Sequence, residues 1–191
     1  YNVRSVIEHY IANGSTVRVC SIDLSKAFDR MNHHALFIKL MDRKFPSELL
    51  NILEQWFKMS VTCVKWNGST SHFFRLLAGV RQGGVLSPFL FALFIDSLVD
   101  KVKSTGVGCY LSSVCVSIFL YADDILLIAP SVTALQILLS ACEQELIYLD
   151  MQINVKKSIC IQFGARYNVE CQAFMSYQGK LLMWADQCKY L

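Results

Sequence analysis

The chain has 191 residues, of which 54% are hydrophobic and 17% are charged, and its formal net charge is +3. This composition excludes a disordered chain and indicates a packed core, and the length indicates one large domain or a domain with a small appendage. The most apolar runs are interrupted by Asp96, Asp123 and Asp124, which excludes an uninterrupted membrane span of roughly 20 residues. The eight cysteines show neither a CxxC pair nor zinc-ligand spacing, and most lie among Val, Ile, Leu and Phe, where a thiol acts as a small hydrophobe. They predict a reduced, intracellular protein.

The first half of the chain predicts helices around one strand and one hairpin. Apolar residues at helical spacing predict a first helix that ends at Gly14, and the β-branched run TVRVCSIDL predicts a strand that ends near Asp23. A helix over 33–42 follows, and another runs from Pro46 to about Met59. The stretches VTCVKW and SHFFRLL lie on either side of NGST, which is typical of a β-hairpin.

The next segment, AGVRQGGVLSPFLFALFIDSLVDKVKSTG, predicts a loop and then a helix. Gly83 and Gly84 indicate the loop, and Ser87 is a suitable N-cap. Pro88 is a suitable first helical residue, and Gly106 is expected to end the helix.

The last third predicts two short strands, a helix and further strands. Residues 113–120 and 125–129 are apolar at both parities, which indicates strands that are covered on both faces. A helix over 131–150, capped by Ser131 or Thr133, precedes the strand in SICIQFG. The order of elements predicts an α+β fold, in which helices back an antiparallel sheet.

Two adjacent carboxylates lie in the apolar stretch FLYADDILLIA. A hairpin between the two apolar runs would place Asp123 and Asp124 at its turn, where they repel each other unless a cation lies between them. Mg²⁺ prefers such hard oxygen ligands. If the strand that ends at Asp23 lies beside this hairpin, three carboxylates converge in the arrangement used for two-metal phosphoryl or nucleotidyl transfer. The alternative is an ordinary surface turn, since Asp is common in turns.

The chain resembles the reverse transcriptase domain of non-LTR (LINE-like) retrotransposons over nearly all of its length. SIDLSKAFDRM resembles the first palm motif of that family, GVRQGGVLSPFLF the second and FLYADDILLIA the third. INVKKSICIQFG resembles the fourth motif, with Asn154 and Lys157 in its Asn-x-x-Lys pattern, and CKYL resembles the start of the fifth. The motifs occur in the family's order.

The resemblance implies a right-hand polymerase fold, mainly the palm with part of the fingers, over residues 1–191. It also implies RNA-templated addition of deoxynucleoside triphosphates to a primer 3′-hydroxyl with two Mg²⁺ ions, for which Mn²⁺ is a substitute. Asp23, Asp123 and Asp124 then correspond to the metal-binding carboxylates, and the backbone carbonyl of Leu24 to a further ligand.

The resemblance further implies a nucleotide site. Phe28 resembles the family's steric gate, a ring that occupies the space of a ribose 2′-hydroxyl; the alternative is a core side chain. Gln82 resembles a residue near the incoming nucleotide, and Gly83 lets the backbone approach closely, or is a plain loop residue. Lys157 resembles a cation near the triphosphate, or is a solvated lysine. The backbone N–H groups of Lys26 and Ala27 are expected to face phosphate oxygens.

Segments that the family places outside residues 1–191 are expected in a longer polypeptide. These are the N-terminal fingers, the thumb and an endonuclease. The implied partners are an RNA template, a DNA primer and deoxynucleoside triphosphates, with no membrane. A ribonucleoprotein in the nucleus and cytoplasm is the implied location.

Three alternatives remain open from the sequence. The first alternative is a decayed, non-enzymatic copy of the same domain. The second is a group II intron maturase-type reverse transcriptase. The third is a protein-binding α+β domain that has the fold but no catalytic activity. The last of these predicts no metal affinity.

Overall fold

The computed structural model describes residues 2–165, 174–175 and 179–187, and only the backbone of 174–175. The chain divides into two compact units. The first unit comprises Tyr1–Ser25 and Ile95–Leu191, and the second unit comprises Lys26–Phe94. The predicted beginning of a fifth motif, CKYL, lies outside the described residues.

Runs of helices and runs of strands follow one another along the described chain, and this order confirms the α+β prediction. The helices are α1 (Val3–Ala12), α2 (Ala27–Arg30), α3 (His33–Asp42), α4 (Ser47–Met59), α5 (Ser87–Ile95), α6 (Ser97–Lys103) and α7 (Val132–Tyr148). The strands are β1 (Val17–Asp23), β2 (Val61–Thr62), β3 (Lys65–Trp66), β4 (Ser69–Thr70), β5 (Phe74–Arg75), β6 (Tyr110–Leu111), β7 (Val114–Cys115), β8 (Ile118–Tyr121), β9 (Asp124–Ala129), β10 (Ile159–Phe163), β11 (Phe174–Met175) and β12 (Leu181–Trp184). None of the described helices is both long enough and apolar enough to cross a membrane.

The first unit is built on a six-stranded sheet with the order β11-β12-β10-β1-β9-β8. All neighbouring strands are antiparallel except β10 and β12. The central strand β1 pairs with β10 on one side and with β9 on the other, so that Val19 lies opposite Ile161 and Ile128. This register fixes which side chains of the three strands share a face.

The two faces of this sheet are covered by different helices. Val17, Val19, Leu126 and Ile128 share one face and belong to a cluster with Val6 of α1. On the other face, Cys20, Ile22, Ile125 and Leu127 are fully buried, and Cys142 of α7 lies near the Cys20 thiol. Strand β9 is therefore covered on both faces, as its uniformly apolar sequence predicts.

The prediction of one helix from Pro88 to Gly106 is wrong in one respect, because this segment forms two helices. Helix α5 ends at Ile95 and α6 begins at Ser97. At the junction the N–H of Val99 bonds to the carbonyl of Asp96, three residues back, which is the tighter hydrogen-bond spacing of a 3₁₀ turn. Continuous apolar periodicity carries no signal for such a break.

Ser87 is not the N-cap that its position suggested. It is the first residue of α5 and is almost fully buried, and its hydroxyl donates a 2.6 Å hydrogen bond to the carbonyl of Arg81. From the sequence alone, a serine whose hydroxyl donates to the preceding loop cannot be distinguished from a serine that caps a helix. The predicted run 113–120 also divides, since only its end forms β8, while β7 pairs with β6.

The second unit contains α3 and α4 at the predicted positions, followed by a nested hairpin. The amide oxygen of Asn32 accepts from the N–H of Ala35 and caps α3. The core side chains Met31, Leu36, Leu40 and Phe91 are fully buried. The hairpin consists of an outer ladder, β2 with β5, and an inner ladder, β3 with β4, and its tip is in the predicted NGST sequence.

Candidate active site

The stretch FLYADDILLIA forms a two-residue hairpin, as predicted. Tyr121 of β8 pairs with Asp124 of β9, so Ala122 and Asp123 make the turn. Ala122 has a φ of 51°, in the left-handed region that glycine normally occupies. A strained residue next to the carboxylates is the kind of feature that clusters at functional sites.

The register of the sheet brings a second carboxylate to this hairpin. Asp23, the last residue of β1, lies directly opposite Asp124, the first residue of β9. Directly opposed residues in antiparallel strands have their side chains on the same face. Asp23 and Asp124 therefore extend from one face of the sheet, at the end of two of its strands.

Electrostatics show that this carboxylate cluster is unfavourable without a cation. Partial burial raises the pKa of Asp124 above its ordinary value, and the negative charges of Asp123 and Asp23 raise it further. The charges of Asp123 and Asp23 thus lie close enough to Asp124 to affect its protonation. A divalent cation is the simplest group that would relieve this repulsion.

The backbone of Leu24 is also suitably placed for a metal ligand. The hydrogen bonds on either side of its bridge to Ile153 run from the Asn154 N–H to the Asp23 carbonyl and from the Ser25 N–H to the Gln152 carbonyl. Because backbone groups alternate along a strand, the Leu24 carbonyl points to the opposite edge, where β9 and the turn lie.

The side chains alone do not yet form a metal centre. Among the described residues, no group of three or more His, Cys, Asp and Glu side chains is arranged to hold a metal ion. The predicted convergence is therefore present in the strand register but not in the side-chain positions. The donor set of three carboxylates and a carbonyl still fits Mg²⁺ chemically, because all its ligands are hard oxygens.

A turn that precedes β10 holds the backbone of Asp23 in place. The N–H of Asp23 donates to the hydroxyl of Ser158 at 3.1 Å, and that hydroxyl donates to the carbonyl of Asn154 at 2.9 Å. The N–H of Asn154 in turn donates to the Asp23 carbonyl at 2.8 Å. These three hydrogen bonds form a closed ring, so the N–H and the carbonyl of Asp23 each have a fixed partner.

Lys157, on the same turn, lies beside the cluster. Its Nζ is 3.9 Å from Oδ1 of Asp23, and the lysine side chain is 70% exposed. An exposed pair at this distance contributes little to stability. The geometry therefore places a mobile positive charge next to the carboxylates, and its predicted role at the triphosphate remains a prediction.

Phe28, in the second unit, is neither a core residue nor fully exposed. Its ring packs against the buried ring of Phe91, with centroids 4.8 Å apart. Its carbonyl accepts from the N–H of Val80 at 2.7 Å. A Cβ on Gly79 would lie 2.8 Å from the Phe28 carbonyl oxygen, so only glycine allows this contact. The ring is thus packed against Phe91, while the residue stays partly exposed.

The neighbouring residues Lys26 and Ala27 precede and begin the short helix α2. Lys26 has a φ of 52° and the N–H groups of Asp29 and Arg30 bond back to its carbonyl, while Ala27 is buried. The backbone turns sharply here, immediately before Phe28. The predicted phosphate contacts of these two N–H groups remain predictions.

Gln82 and Gly83 occupy a turn in the second unit. The N–H of Gly84 bonds to the carbonyl of Arg81 at 3.0 Å, and Gly83 has a φ of 79°. A positive φ at the third residue of such a turn is the signature of type II, which favours glycine. Gln82 is exposed at the tip. The prediction of a glycine loop is confirmed, while a nucleotide contact remains a prediction.

Sequence reasoning missed two residues that support these positions. Ser158 was not singled out, although its hydroxyl accepts from the N–H of Asp23. His33 was not singled out either, although its Nε2 lies 2.6 Å from the carbonyl oxygen of Gly79 and its ring lies on Phe57. A single sequence carries no signal for hydrogen bonds between residues so far apart in the chain.

Residues 2–191 match the family described as "Reverse transcriptase (RNA-dependent DNA polymerase)". The chain belongs to the reverse transcriptase family. It is 25% identical over 193 residues to the retrovirus-related Pol polyprotein of the type-2 retrotransposable element R2DM of Drosophila melanogaster, covering 97% of this chain and 18% of that protein. It is 30% identical to the Pol polyprotein of the type-1 retrotransposable element R2 of Popillia japonica over 177 residues, or 90% of this chain and 25% of that protein.

A third relative is the RNA-directed DNA polymerase of the mobile element jockey from Drosophila funebris, which is 29% identical over 90% of this chain and 19% of the relative. The chain thus spans about a fifth to a quarter of the length of these relatives. The resemblance to non-LTR retrotransposon reverse transcriptases, made from the motifs, is confirmed.

Solved structures support the fold. Apo telomerase from Candida tropicalis, truncated from its C-terminal domain, superposes with a TM-score of 0.61 at 17% identity, over 85% of this chain and 34% of that one. Telomerase of the same species in complex with a TWJ fragment of telomeric RNA gives 0.62 at 14% identity, over 93% and 31%. The predicted polymerase fold is therefore confirmed.

Proposed function

We propose that the chain is the catalytic part of an RNA-directed DNA polymerase of a non-LTR retrotransposon. The observation that carries this proposal is the register that sets Asp23 opposite Asp124, beside Asp123 in a strained turn, within a chain of the reverse transcriptase family. The substrates are an RNA template, a primer 3′-hydroxyl and deoxynucleoside triphosphates.

Asp23, Asp123 and Asp124 would hold two Mg²⁺ ions together with the Leu24 carbonyl, and Mn²⁺ could replace them. The bound ions would supply Lewis-acid activation of the primer 3′-hydroxyl and charge neutralisation for the leaving pyrophosphate. The chain's own contribution is to fix Asp23 through Ser158 and to keep the other two carboxylates on a rigid hairpin.

The remaining site residues position the nucleotide. Phe28 excludes a ribose 2′-hydroxyl with the accessible side of its ring, and Gln82 and Gly83 contact the nucleotide or template. Lys157, and the N–H groups of Lys26 and Ala27, bind phosphate oxygens. In this proposal the first unit belongs to the palm and the second unit includes part of the fingers.

The proposal extends to the whole polypeptide and its setting. The relatives are several times longer than this chain, which supports fingers, thumb and endonuclease segments elsewhere in the same polyprotein. The protein acts inside the cell, within a ribonucleoprotein that reaches both cytoplasm and nucleus.

Primer extension on an RNA template tests the catalytic assignment. We expect the longest polypeptide that contains this chain to extend the primer in the presence of Mg²⁺. We expect Asp123→Asn to reduce the incorporation rate by orders of magnitude, because the variant removes a metal ligand. Asp42→Asn, which removes an exposed carboxylate from the end of α3, is the charge-matched control.

An unchanged rate in Asp123→Asn would refute the metal assignment. No extension by either protein, with both folded by circular dichroism, would favour the decayed copy.

A further inference from the structure

Phe28 lies on a helix that is too short to be stable by itself. Helix α2 is four residues long, and the N–H groups of Asp29 and Arg30 close its single turn by bonding to the carbonyl of Lys26. Isolated helices of this length do not form, because the entropic cost of nucleation is not repaid. The position of the Phe28 backbone therefore depends on the segments that contact α2.

One such segment is residues 78–80, called the support segment. The N–H of Gly79 donates to the carbonyl of Met31, the C-cap of α2, at 2.8 Å, and the N–H of Val80 donates to the carbonyl of Phe28 at 2.7 Å. A helix leaves the carbonyls at its C-terminal end without partners inside the helix. The support segment supplies partners for this end of α2.

The support segment packs on α2 with no side chain between the two backbones. Gly79 is buried and has a φ of 81°, and a Cβ at this position would lie 2.7 Å from the carbonyl oxygen of Asp29. Only glycine allows so close an approach. Because backbone lies directly on backbone, a shift of the support segment is transmitted to α2 and is not absorbed by a flexible side chain.

His33, the first residue of α3, holds the support segment through the carbonyl of Gly79. Its Nε2 lies 2.6 Å from that oxygen, and because a carbonyl can only accept, Nε2 carries the proton and donates. The imidazole ring packs on the buried ring of Phe57, with centroids 4.2 Å apart. His33 is thus a donor with a fixed orientation.

The proposed role of Phe28 makes its position important. A ring that rejects a ribose hydroxyl does so by occupying the space that the hydroxyl needs, so a small displacement of the ring admits the hydroxyl. Loss of the donor to the buried Gly79 leaves its carbonyl poorly satisfied, and the support segment is then expected to shift. Such a shift reaches Phe28 through the Val80 hydrogen bond.

We propose that His33 is a positioning residue for the discrimination between deoxyribose and ribose. By holding the Gly79 carbonyl it fixes the support segment, and the support segment fixes the helical turn that carries Phe28. This inference rests on the proposed function, since it adds the residue that sets the position of the gate. The alternative is a histidine that only stabilises the second unit, on which discrimination would not depend.

Single-nucleotide incorporation of matched deoxy- and ribonucleotides by the longest polypeptide that contains this chain tests the proposal. His33→Phe keeps a ring against Phe57 and removes the donor. We expect kcat/KM for the ribonucleotide to rise about ten-fold, less than the roughly 100-fold limit for loss of the gate, because Phe28 is displaced but present. The value for the deoxynucleotide should change by less than about two-fold, whereas mere destabilisation would lower both values equally.

His33→Gln is the rescue variant. Its side-chain amide reaches the position of the imidazole Nε2 and donates from there, so it should keep the wild-type discrimination although the ring is lost. His33→Asn also loses the ring, but its shorter amide does not reach the Gly79 carbonyl, so it should discriminate as poorly as His33→Phe. The pair of Gln and Asn variants repeats the comparison if His33→Phe does not fold.

Two further variants show whether the effect is specific. His34→Phe makes the same substitution at the exposed neighbouring histidine and should leave discrimination unchanged. The double variant of His33→Phe with Phe28→Val should discriminate no worse than Phe28→Val alone, because no ring is left to position. Independent effects of the two residues would multiply instead.

Hydrogen exchange in the 191-residue chain measures the same link without nucleotides. The amide of Val80, which bonds to the Phe28 carbonyl, should exchange faster in His33→Phe than in the wild type and at the wild-type rate in His33→Gln and His34→Phe. Circular dichroism confirms that each variant is folded.

The outcomes separate the positioning role from the proposed function. Unchanged discrimination in His33→Phe, when Phe28→Val loses it, would overturn the positioning role and leave the gate in place. An equal loss in His34→Phe, or a multiplied loss in the double variant, would also overturn it. Unchanged discrimination in both Phe28→Val and His33→Phe would overturn the gate and the inference together. If the wild type incorporates neither nucleotide, the proposed function fails, and unchanged exchange at Val80 would then overturn the link from His33 to Phe28.

Discussion

At the scale of single residues, the carboxylate cluster lowers the stability of the folded chain by a measurable amount when no metal is bound. The pKa of Asp124 is raised above its ordinary value of 3.8, first by burial and then by Asp123 and Asp23. The folded chain therefore keeps this proton to higher pH than the unfolded chain does. Stability contributed by this group is full below pH 3.8 and is lost as pH rises through the raised pKa.

Asp124→Asn should consequently stabilise the metal-free chain at pH 7 and have little effect at pH 3. Urea unfolding at both pH values, with a chelator present, measures the difference. Asp42→Asn, which removes a charge far along the chain from the cluster, controls for the change in net charge. Equal stabilisation by Asp124→Asn at both pH values would show that repulsion among the three carboxylates is not the cause.

Phe28 is the residue for which packing and function predict different outcomes. Its ring packs on Phe91 but the residue is partly exposed, so a smaller side chain would open space on the exposed side. We expect Phe28→Val to lose up to about 100-fold of discrimination against ribonucleotides, the range that shape alone supplies against an added hydroxyl. Phe28→Tyr keeps the ring and should keep the discrimination.

Single-nucleotide incorporation of matched deoxy- and ribonucleotides gives this ratio directly. The gate assignment is wrong if both variants discriminate as the wild type does. A loss of stability in Phe28→Val without a change in the ratio would instead identify Phe28 as a packing residue.

At the scale of elements, the most informative feature is the turn that holds β1 from the side of β10. Ser158→Ala removes the hydroxyl that links the Asp23 N–H to the Asn154 carbonyl, and leaves that N–H without its partner. We expect a loss of about 1–3 kcal/mol in unfolding free energy and a higher Mg²⁺ requirement for incorporation, because Asp23 becomes less well positioned.

Ser140→Ala is the matched control for this variant. The Ser140 hydroxyl donates only to the Gln136 carbonyl within α7, so its removal should change neither quantity by much. A destabilised Ser158→Ala variant with a normal Mg²⁺ requirement would make Ser158 structural only. The metal titration therefore separates positioning from folding.

The elements also show where sequence reasoning succeeds and where it stops. The positions of strand β1, of helices α3, α4 and α7 and of the tip of the nested hairpin were all predictable, because periodicity and turn residues are local signals. The break between α5 and α6 was not, since its cause is a single tight turn at Asp96. The carboxylates were identified from their apolar flanks, but only the strand register shows that Asp23 faces Asp124.

At the scale of the whole molecule, the family could be identified from the order of the motifs along the chain. The predicted site residues are distributed over the two units. The first unit contains Asp23, Asp123, Asp124 and Lys157, and the second unit contains the predicted nucleotide-binding residues from Lys26 to Gly83.

Metal binding should be visible in the stability of the whole chain. A ligand that binds only the folded state stabilises it by about 1.4 kcal/mol at ten times its Kd, which for a chain of this size is a rise in Tm of about 3–6 °C. We expect this rise with Mg²⁺ at constant ionic strength, and expect Asp124→Asn to abolish it. A protein-binding domain without metal affinity would show no rise.

Hydrogen exchange locates the effect within the molecule. The slowed amides should lie in β1 near Asp23, in the turn between β8 and β9 and in the turn around Asn154, because these segments carry or hold the carboxylates. Asp42→Asn should keep both the rise in Tm and the protection. Two results would contradict the two-metal assignment: protection spread evenly over both units, or a rise in Tm with Mg²⁺ that Asp124→Asn retains. Either would mean that Mg²⁺ acts as a general counter-ion.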